Sequence, residues 1–342
     1  MAITIKEIAA LTGVSIGTVD RALHNRGRVR PELAAEIKRL ADLHRFEPSQ
    51  AGKILSLAKN PLKIGVVVHL MDIPFMQQIL IGIKKATTEL ANLGASVIVE
   101  TIPLTDAQAQ IQAIDKLIEQ GVVAIAITPT ESEELRQKLQ QVSNKITVVT
   151  FNADIDDSGR SCYVGLDNHA SGKVSASLIG KTVSEQGSIG IISGHPSNRT
   201  NLDRVAGFSE VMTLEYPELR MLDVQFSLDE NNQAYEITSE MLANVPDLRG
   251  IFICSGGQGG LSRALNDALR ITNVKVVAYD IVPDTIKGLH LGAIDFAIDQ
   301  NAFWQGYKPL MLLWNKLFHN ESFKREYYHP DIHIRIKENI KV

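Results

Sequence analysis

Cysteine is nearly absent: Cys162 and Cys254 are the only two in 342 residues. Both sit in apolar segments, so a disulfide framework is excluded and a reducing compartment is expected. No apolar run approaches the ~18 residues of a membrane-spanning helix. H-E-x-x-H, paired catalytic carboxylates and the G-x-x-x-x-G-K-S/T phosphate loop are also missing, so no enzyme, cofactor or metal is expected. The opening MAITIKEIAALTG carries an acidic residue and no long apolar core. It does not read as a secretory signal, and a cytoplasmic protein is expected. At 44% hydrophobic and 22% charged residues, the chain is an ordinary globular one, long enough for two or three compact units.

Charge is unevenly spread. Residues 1–60 hold ten Lys/Arg against six Asp/Glu, a net of +4, and the remainder carries a net of -8. Arg21, Arg26, Arg28 and Arg30 fall within ten positions. A basic head on an acidic body is the electrostatic footprint of a polyanion-binding module. Within the head, Thr4 and Glu7 are spaced as a capping box opening a first helix. Gly13-Val14-Ser15 then makes a turn, Ser15 caps a second helix over about 16–24, and Pro31 opens a third. Ile8, Ala9, Val19, Ala22, Leu33 and Ile37 supply inward-facing apolar stripes. This pattern predicts a helix-turn-helix whose second helix offers Ser15, Ile16, Gly17, Thr18 and Arg21 to a major groove. Arg28 and Arg30 then reach phosphates.

The run TIKEIAALTGVSIGTVDRALHNRGRVRPE resembles the DNA-binding head of the lactose-repressor (LacI/GalR) family of bacterial regulators. Gly13-Val14-Ser15, Thr18-Val19, Arg21, Leu23 and Val29 carry the resemblance, and Pro48–Leu57 follows where that family has a linker and hinge helix. The resemblance implies DNA contacts from Thr4 and His24 as well, and a minor-groove wedge from Leu55. Asp20 replaces a usual serine, Arg30-Pro31 a small N-cap, His24 an asparagine, and Gly52 an alanine of the hinge. The operator sequence is therefore not transferable. The division expected is a helix-turn-helix domain over 1–47, a hinge over 48–60 and an effector-binding domain over 61–342.

Beyond Asn60-Pro61 short apolar runs alternate with amphipathic stretches. Strands are expected at Lys63–Val68, Ser96–Glu100, Val122–Ile127, Thr147–Phe151, Ser188–Ile192, Leu222–Phe226, Gly250–Cys254, Val274–Tyr279 and Ala293–Ile298, with helices between most of them. The fold class is therefore α/β, two doubly wound parallel lobes behind the helical head. Ile332, Ile334 and Ile336 alternate as a final strand at a sheet edge. In such sheets ligands bind beyond the carboxyl ends of strands. Polar residues collect there with Phe75, Phe151 and Trp304, a mixture suited to a sugar or polyol.

The body is similar to type I periplasmic-binding-protein sugar modules, and the resemblance implies the site residues. Asp72-Ile73-Pro74-Phe75 matches a ligand loop and Asn152 falls at a usual ligand aspartate. Arg204 stands in an "R..GF" motif, Asp280 in "AYD", and Gln300 follows the crossover strand. Ser255-Gly256 replaces an Asn-Asp ligand pair and Ala153 replaces an arginine. The implied lobes are about 61–162 with 292–322, and 163–291 with 323–342. The glycine-rich Ser255–Gly260 loop opens a helix, so either a tight turn or an anion site is expected there, which keeps a sugar phosphate among the ligands. His329 and His333 are spaced H-x-x-x-H, but the strand pattern around them argues against a metal pair.

The expected function is a repressor-type transcriptional regulator, binding near-palindromic operator DNA as a homodimer under control of a sugar, polyol or sugar-phosphate effector. The alternatives are a sugar-binding sensor without operator binding and, further off, a carbohydrate-acting enzyme.

Overall fold

The computed structural model describes residues 3–23, 25, 27–44, 46, 54, 57, 60–69, 72–184 and 186–340. The chain divides into two compact units, Met1–Pro61 and Leu62–Val342. Of the expected hinge, only Ile54, Leu57 and Asn60 are described, the first two in helical conformation.

The head is three helices, α1 (Ile5–Thr12), α2 (Ile16–Leu23) and α3 (Pro31–Leu43). The capping box forms as its spacing predicts. The Thr4 hydroxyl accepts from the Glu7 amide at 3.2 Å, and the Glu7 carboxylate accepts from the Thr4 amide at 2.8 Å. These bonds satisfy donors that the first turn leaves orphaned. Gly13, at φ 66°, ends α1 in the left-handed region that costs other residues a steric clash. Gly13–Gly17 spells G-x-S-x-G, but it joins two helices and does not form the strand-to-helix elbow of a hydrolase. Ile8, Ala9, Val19, Ala22, Ile37 and Ala41 bury together as a small core.

The larger unit holds two sheets. The first comprises β1 (Leu62–His69), β2 (Ala95–Ile102), β3 (Ala124–Ile127), β4 (Thr147–Phe151), β5 (Cys162–Val164) and β12 (Tyr327–Tyr328). Their order is β12-β5-β4-β3-β1-β2, all parallel. The second contains β6 (Gly187–Ser193), β7 (Leu219–Met221), β8 (Gln225–Phe226), β9 (Leu248–Ile253), β10 (Lys275–Tyr279), β11 (Phe296–Asp299) and β13 (His333–Arg335). Here the order is β13-β11-β10-β9-β6-β7, with β8 also on β6 and β13 antiparallel to β11.

Helices α4 (Pro74–Asn92), α5 (Ala107–Glu119), α6 (Glu133–Ser143) and α12 (Ala302–His319) pack on the first sheet. On the second lie α7 (Asn168–Thr182), α8 (Arg199–Glu215), α9 (Asn231–Asn244), α10 (Gln258–Asp267) and α11 (Pro283–Leu291). Because helices cover both faces, the central strands read as continuous apolar runs. Phe252 and Val277 pack in one core of the second lobe, and Ile251, Ile253 and Val276 in the core on its other face.

Three sequence expectations are corrected. The segment 292–322 does not belong wholly to the first lobe: β11 pairs with β10, Val277 opposite Phe296, in the second sheet, and only α12 returns. Conversely β12, within the expected second-lobe segment 323–342, pairs with β5 in the first sheet. Both strands are short, and a parallel strand's pattern does not say which of two similar sheets receives it. Of the expected strand Leu222–Phe226 only Gln225–Phe226 forms one, β8, while β7 ends before it at Met221. Met221 pairs with Ile189 and Gln225 with Ile192, so four steps oppose three and the extra residue makes a bulge.

Helices α7 and α8 cross in close contact through two glycines. A Cβ on Gly172 would collide with the Arg204 carbonyl, and one on Gly207 with the His169 carbonyl. Gly207→Ala is therefore expected to destabilise the protein by about 1–3 kcal/mol through overpacking. A urea titration would read this as a lower midpoint at unchanged slope, and an unchanged midpoint would mean that the helices separate freely.

Candidate functional site

Two surfaces carry the expected site residues. On the head, Ser15, Ile16, Gly17, Arg21, Arg28 and Arg30 are exposed and Thr18 is half-buried. Ser15 Oγ lies 2.9 Å from Thr18 Oγ1, which accepts from Arg21 Nη2 at 3.3 Å. These bonds line up the start of α2 with its first exposed arginine. Ile16 is 54% exposed although large and apolar. Thr4 is exposed, but its hydroxyl is engaged with Glu7. His24 and Leu55 lie outside the described residues.

The second surface lies along the carboxyl ends of the strands in the larger unit. Its centre is Arg204, one turn into α8 and 4% exposed. The guanidinium donates from Nε to Asn168 Oδ1 at 3.0 Å, from Nη1 to the Cys254 carbonyl at 2.8 Å, and from Nη2 to Gln300 Oε1 at 2.8 Å. Its carbon sits 4.1 Å from the centre of the Tyr279 ring, a cation–π contact strengthened by desolvation. Tyr279 is fixed in turn by a 2.7 Å bond between its hydroxyl and Ser171 Oγ. Burial pushes this phenol up to about 12, so it stays neutral.

Gln300 passes the arrangement on. Its side-chain Nε2 donates to Asp280 Oδ1 at 2.5 Å, and its backbone carbonyl accepts from Gln305 Nε2 at 2.8 Å. Gln305 Oε1 accepts from Asn152 Nδ2 at 3.3 Å. A continuous relay thus runs from Asn152 at the end of β4, in the first sheet, to Arg204 and Asp280 in the second. Asn152 and Asp280 both adopt left-handed backbone, at φ 63° and 67°, which Asn and Asp tolerate best after glycine. Burial raises the Asp280 carboxyl from its usual 3.8 to about 6, against the opposing pull of Arg204 and the Gln300 bond.

On the first sheet His69 ends β1 and is 8% exposed. Gln110 donates from Nε2 to His69 Nδ1 and to the Thr128 carbonyl, both at 2.9 Å, and accepts from the Thr130 amide at 2.9 Å. That last bond fixes which way the amide points, so Nδ1 is the acceptor and the ring hydrogen sits on Nε2. Burial lowers the imidazole from 6.5 to about 4, opposed by the Thr128 carbonyl, and the ring is neutral at physiological pH.

The structure thus joins Asn152, Arg204, Asp280 and Gln300 of the expected set. Ser255 is buried just beyond β9, its hydroxyl without a hydrogen-bond partner among the described residues. Phe75 is half-buried at the start of α4, and Asp72 is exposed and takes no part in the relay. Asn168, Gln305 and Gln110 were not anticipated; their signal is a polar residue on a buried helix face, visible only once the helices are placed. Asp154 is held instead by Arg160, in a paired contact of 2.6 and 2.7 Å.

The Ser255–Gly260 loop is a turn and not an anion cradle. Gly257 has φ 105°, the Gly256 amide donates to Asp229 Oδ1 at 2.7 Å, and the Gly260 amide donates to Asn231 Oδ1 at 3.1 Å. His329 and His333 belong to different lobes, the former bonded to the Gly165 carbonyl at 2.8 Å. Among the described residues no cluster of His, Cys, Asp or Glu is arranged to hold a metal.

Comparison with known proteins assigns each of the two units to a family. The family profile described as periplasmic binding protein domain matches residues 64–321, and that described as bacterial regulatory proteins, lacI family, matches residues 4–49. The ribose import binding protein RbsB of Bacillus subtilis is 22% identical over 71% of this chain and 76% of its own length. The regulator MalR of Clostridium butyricum is 22% identical over 81% of this chain and 82% of its own. A solute-binding protein of Burkholderia graminis, solved in complex with D-arabinose, superposes with a TM-score of 0.75 at 25% identity, covering 82% of this chain and 96% of that one. The glucose-galactose binding protein GanP of Geobacillus stearothermophilus gives 0.74 at 20% identity, covering 83% and 100%.

The raised Asp280 carboxyl makes stability depend on pH. The folded state binds this proton more tightly than the unfolded one, so the contribution is complete below about 3.8 and is lost as pH rises through about 6. Asp280→Asn should therefore melt higher than the parent at pH 8, by a few degrees, and the gap should shrink as pH falls toward 4. A gap independent of pH in thermal melts would show that Asp280 ionises as it does in water.

Proposed function

The chain belongs to the periplasmic-binding-protein domain family and carries the lacI-family regulatory head, and from this premise we propose how it works: a DNA-binding transcriptional regulator whose operator affinity is set by a small sugar or polyol. The observation that carries this reading is the union in one chain of the exposed α2 surface with the Asn152–Gln305–Gln300–Arg204–Asp280 relay. The first can enter a major groove. The second presents paired planar donors and acceptors of the kind that satisfy vicinal hydroxyls.

On this reading Ser15, Ile16, Gly17 and Thr18 meet base edges, with Ile16 offering an apolar contact suited to a thymine methyl. Arg21, Arg28 and Arg30 take phosphates, and Thr4, His24 and Leu55 complete the DNA surface. Two copies of the chain read a near-palindromic operator, because two-fold symmetric protein matches two-fold symmetric DNA. Arg204, Asp280, Gln300 and Asn152 hold the effector, with Ser255, Asp72 and Phe75 at the same strand ends. The sugar assignment draws on the binding proteins to which the larger unit is similar, among them proteins named for ribose, allose, xylose and arabinose. A regulator of this kind acts in the cytoplasm, where its DNA is, and needs no catalytic step. Because one molecule binds both partners, their coupling is reciprocal: an effector that weakens DNA binding is itself bound less tightly by the DNA complex.

The test is retention of sheared host DNA by purified protein, with and without a sugar panel. Wild type should enrich a near-palindromic site. Arg21→Ala should lose that enrichment while its calorimetric affinity for effector stays unchanged. Arg204→Ala should retain DNA but lose the response, with effector binding weakened about 100-fold or more, as for a buried charged donor left unmade. Loss of both activities in Arg21→Ala would contradict separate DNA and effector surfaces, and a full response in Arg204→Ala would move the effector site elsewhere.

A further inference from the structure

Between β8 and α9 the chain makes an unusual turn. Leu228 and Asp229 both lie in the left-handed region, at φ 51° and 65°, an unfavourable pair for residues with side chains. The turn is pinned by Ser227, whose amide and hydroxyl both donate to the Ser193 carbonyl, at 2.8 and 3.2 Å. It delivers the Asp229 carboxylate to the carboxyl ends of β6 and β9. There Oδ1 accepts from the Gly256 amide at 2.7 Å.

Two glycines leave the space that the carboxylate occupies. A Cβ on Gly194 would fall 2.7 and 2.8 Å from the two Asp229 oxygens and 2.9 Å from Asn201 Nδ2; one on Gly256 would fall 2.9 Å from Asp229 Cβ. Ser255, next to Gly256, is buried, and among the described residues its hydroxyl has no partner.

The charge balance around Arg204 follows from this placement. Its guanidinium already donates to Asn168, Cys254 and Gln300. Within the second lobe two carboxylates, Asp280 and Asp229, stand against that one cation, and Asp72 of the first lobe, exposed at the proposed site, adds negative charge and offsets none. Asp299 is neutralised by Arg335 at 2.8 Å, and Arg199 is drawn off by Asp156 at 2.9 Å. Burial is the main reason that the Asp280 carboxyl and the Cys254 thiol hold their protons, and Asp229 adds a minor contribution in the same direction. In the glycine-rich loop the Gly256 amide is already taken by Asp229 and the Gly260 amide by Asn231, so neither is left for an incoming anion.

We propose that Asp229 is a charge filter on the effector site, admitting uncharged and amino-bearing polyols and turning away phosphorylated and carboxylated ones. This deepens the effector reading above and rests on it. Asp229 is exposed in this structure, so the filter acts when a bound ligand displaces water from beside it and leaves an anion next to a fixed carboxylate, a like-charge contact that is unfavourable and open to screening.

The experiment is calorimetry on the full chain with D-ribose, D-arabinose, D-xylose, D-glucose and xylitol, each sugar paired with its terminal phosphate, and with glucosamine. Wild type should bind at least one uncharged member, and its phosphate at least about tenfold more weakly. Asp229→Asn keeps an oxygen for the Gly256 amide and tolerates left-handed backbone, so it should fold, as a thermal melt will show. In that variant the ratio of the two affinities should fall several-fold.

A second readout needs no variant: in wild type, raising salt toward 1 M should narrow the same ratio by screening. A phosphate bound as tightly as its parent sugar, or a ratio unmoved by both Asp229→Asn and salt, overturns the filter and leaves the effector reading standing. Failure of every panel member to bind overturns the effector reading and the filter with it.

Discussion

The buried guanidinium of Arg204 is the constraint on which the second lobe and the proposed effector site depend. A charge this far from water is costly unless its donors are matched and its field is answered. Here a helix end, a strand end and a crossover supply the acceptors: Asn168 from α7, Cys254 from β9 and Gln300 after β11. The Tyr279 ring closes the remaining face. Moving any one of these elements would strand a buried donor, a penalty of about 1–3 kcal/mol or more for a charged group. The arginine therefore fixes four elements relative to one another, which is the preorganisation that a binding site requires.

The same need explains the packing beneath it. Arg204 can reach the Cys254 carbonyl only because α8 lies close on α7, and that approach is possible because Gly172 and Gly207 carry no Cβ. Below Tyr279, Phe252 lies tilted at 6.1 Å and Phe208 is stacked on Phe252 at 4.3 Å. These rings are fully buried and hold their neighbours in single rotamers. The first lobe repeats the device. Gly82 of α4 and Gly306 of α12 face carbonyls of the opposite helix, and that contact seats Gln305, the next residue back, where it bridges Asn152 and Gln300. Close helix packing in each lobe thus places one buried polar side chain at the line where the two lobes meet.

What was legible in the chain divides by distance along it. The Thr4–Glu7 capping box, the Gly13 turn and the α2 surface depend on residues three or four apart, and local spacing predicts them. Arg204, Asp280 and Gln300 were reached through motifs at strand ends, where doubly wound sheets place ligands. Their partnership was not legible, because Arg204 and Gln300 are 96 residues apart and Asn152 and Gln305 are 153 apart. Nor was the role of Asp229, which depends on a bulge and a left-handed pair that pattern and propensity both disfavour. β5 and β12, of three and two residues, are too short to show periodicity, and β11 carries no mark of the sheet it joins.

The relay also bears on how the larger unit would respond to a ligand. Three chain segments cross between the sheets, leading into α7, α12 and β13, while β12 and β13 seal one edge of each. Side chains add cross-lobe bonds of their own: Gln78 of α4 donates to the Ile281 carbonyl at 2.7 Å, and Arg199 of α8 meets Asp156 at 2.9 Å. The second pair is about half exposed and contributes little, so the lobes are not locked together by charge. Buried hydroxyls on Thr128 and Thr130 in one lobe and on Ser255 in the other have no hydrogen-bond partner among the described residues. On the proposed effector reading, a polyol that reached such groups from both lobes would bind preferentially to the arrangement that holds the lobes together, and differential affinity of this kind is the physical requirement for a ligand to shift a conformational equilibrium.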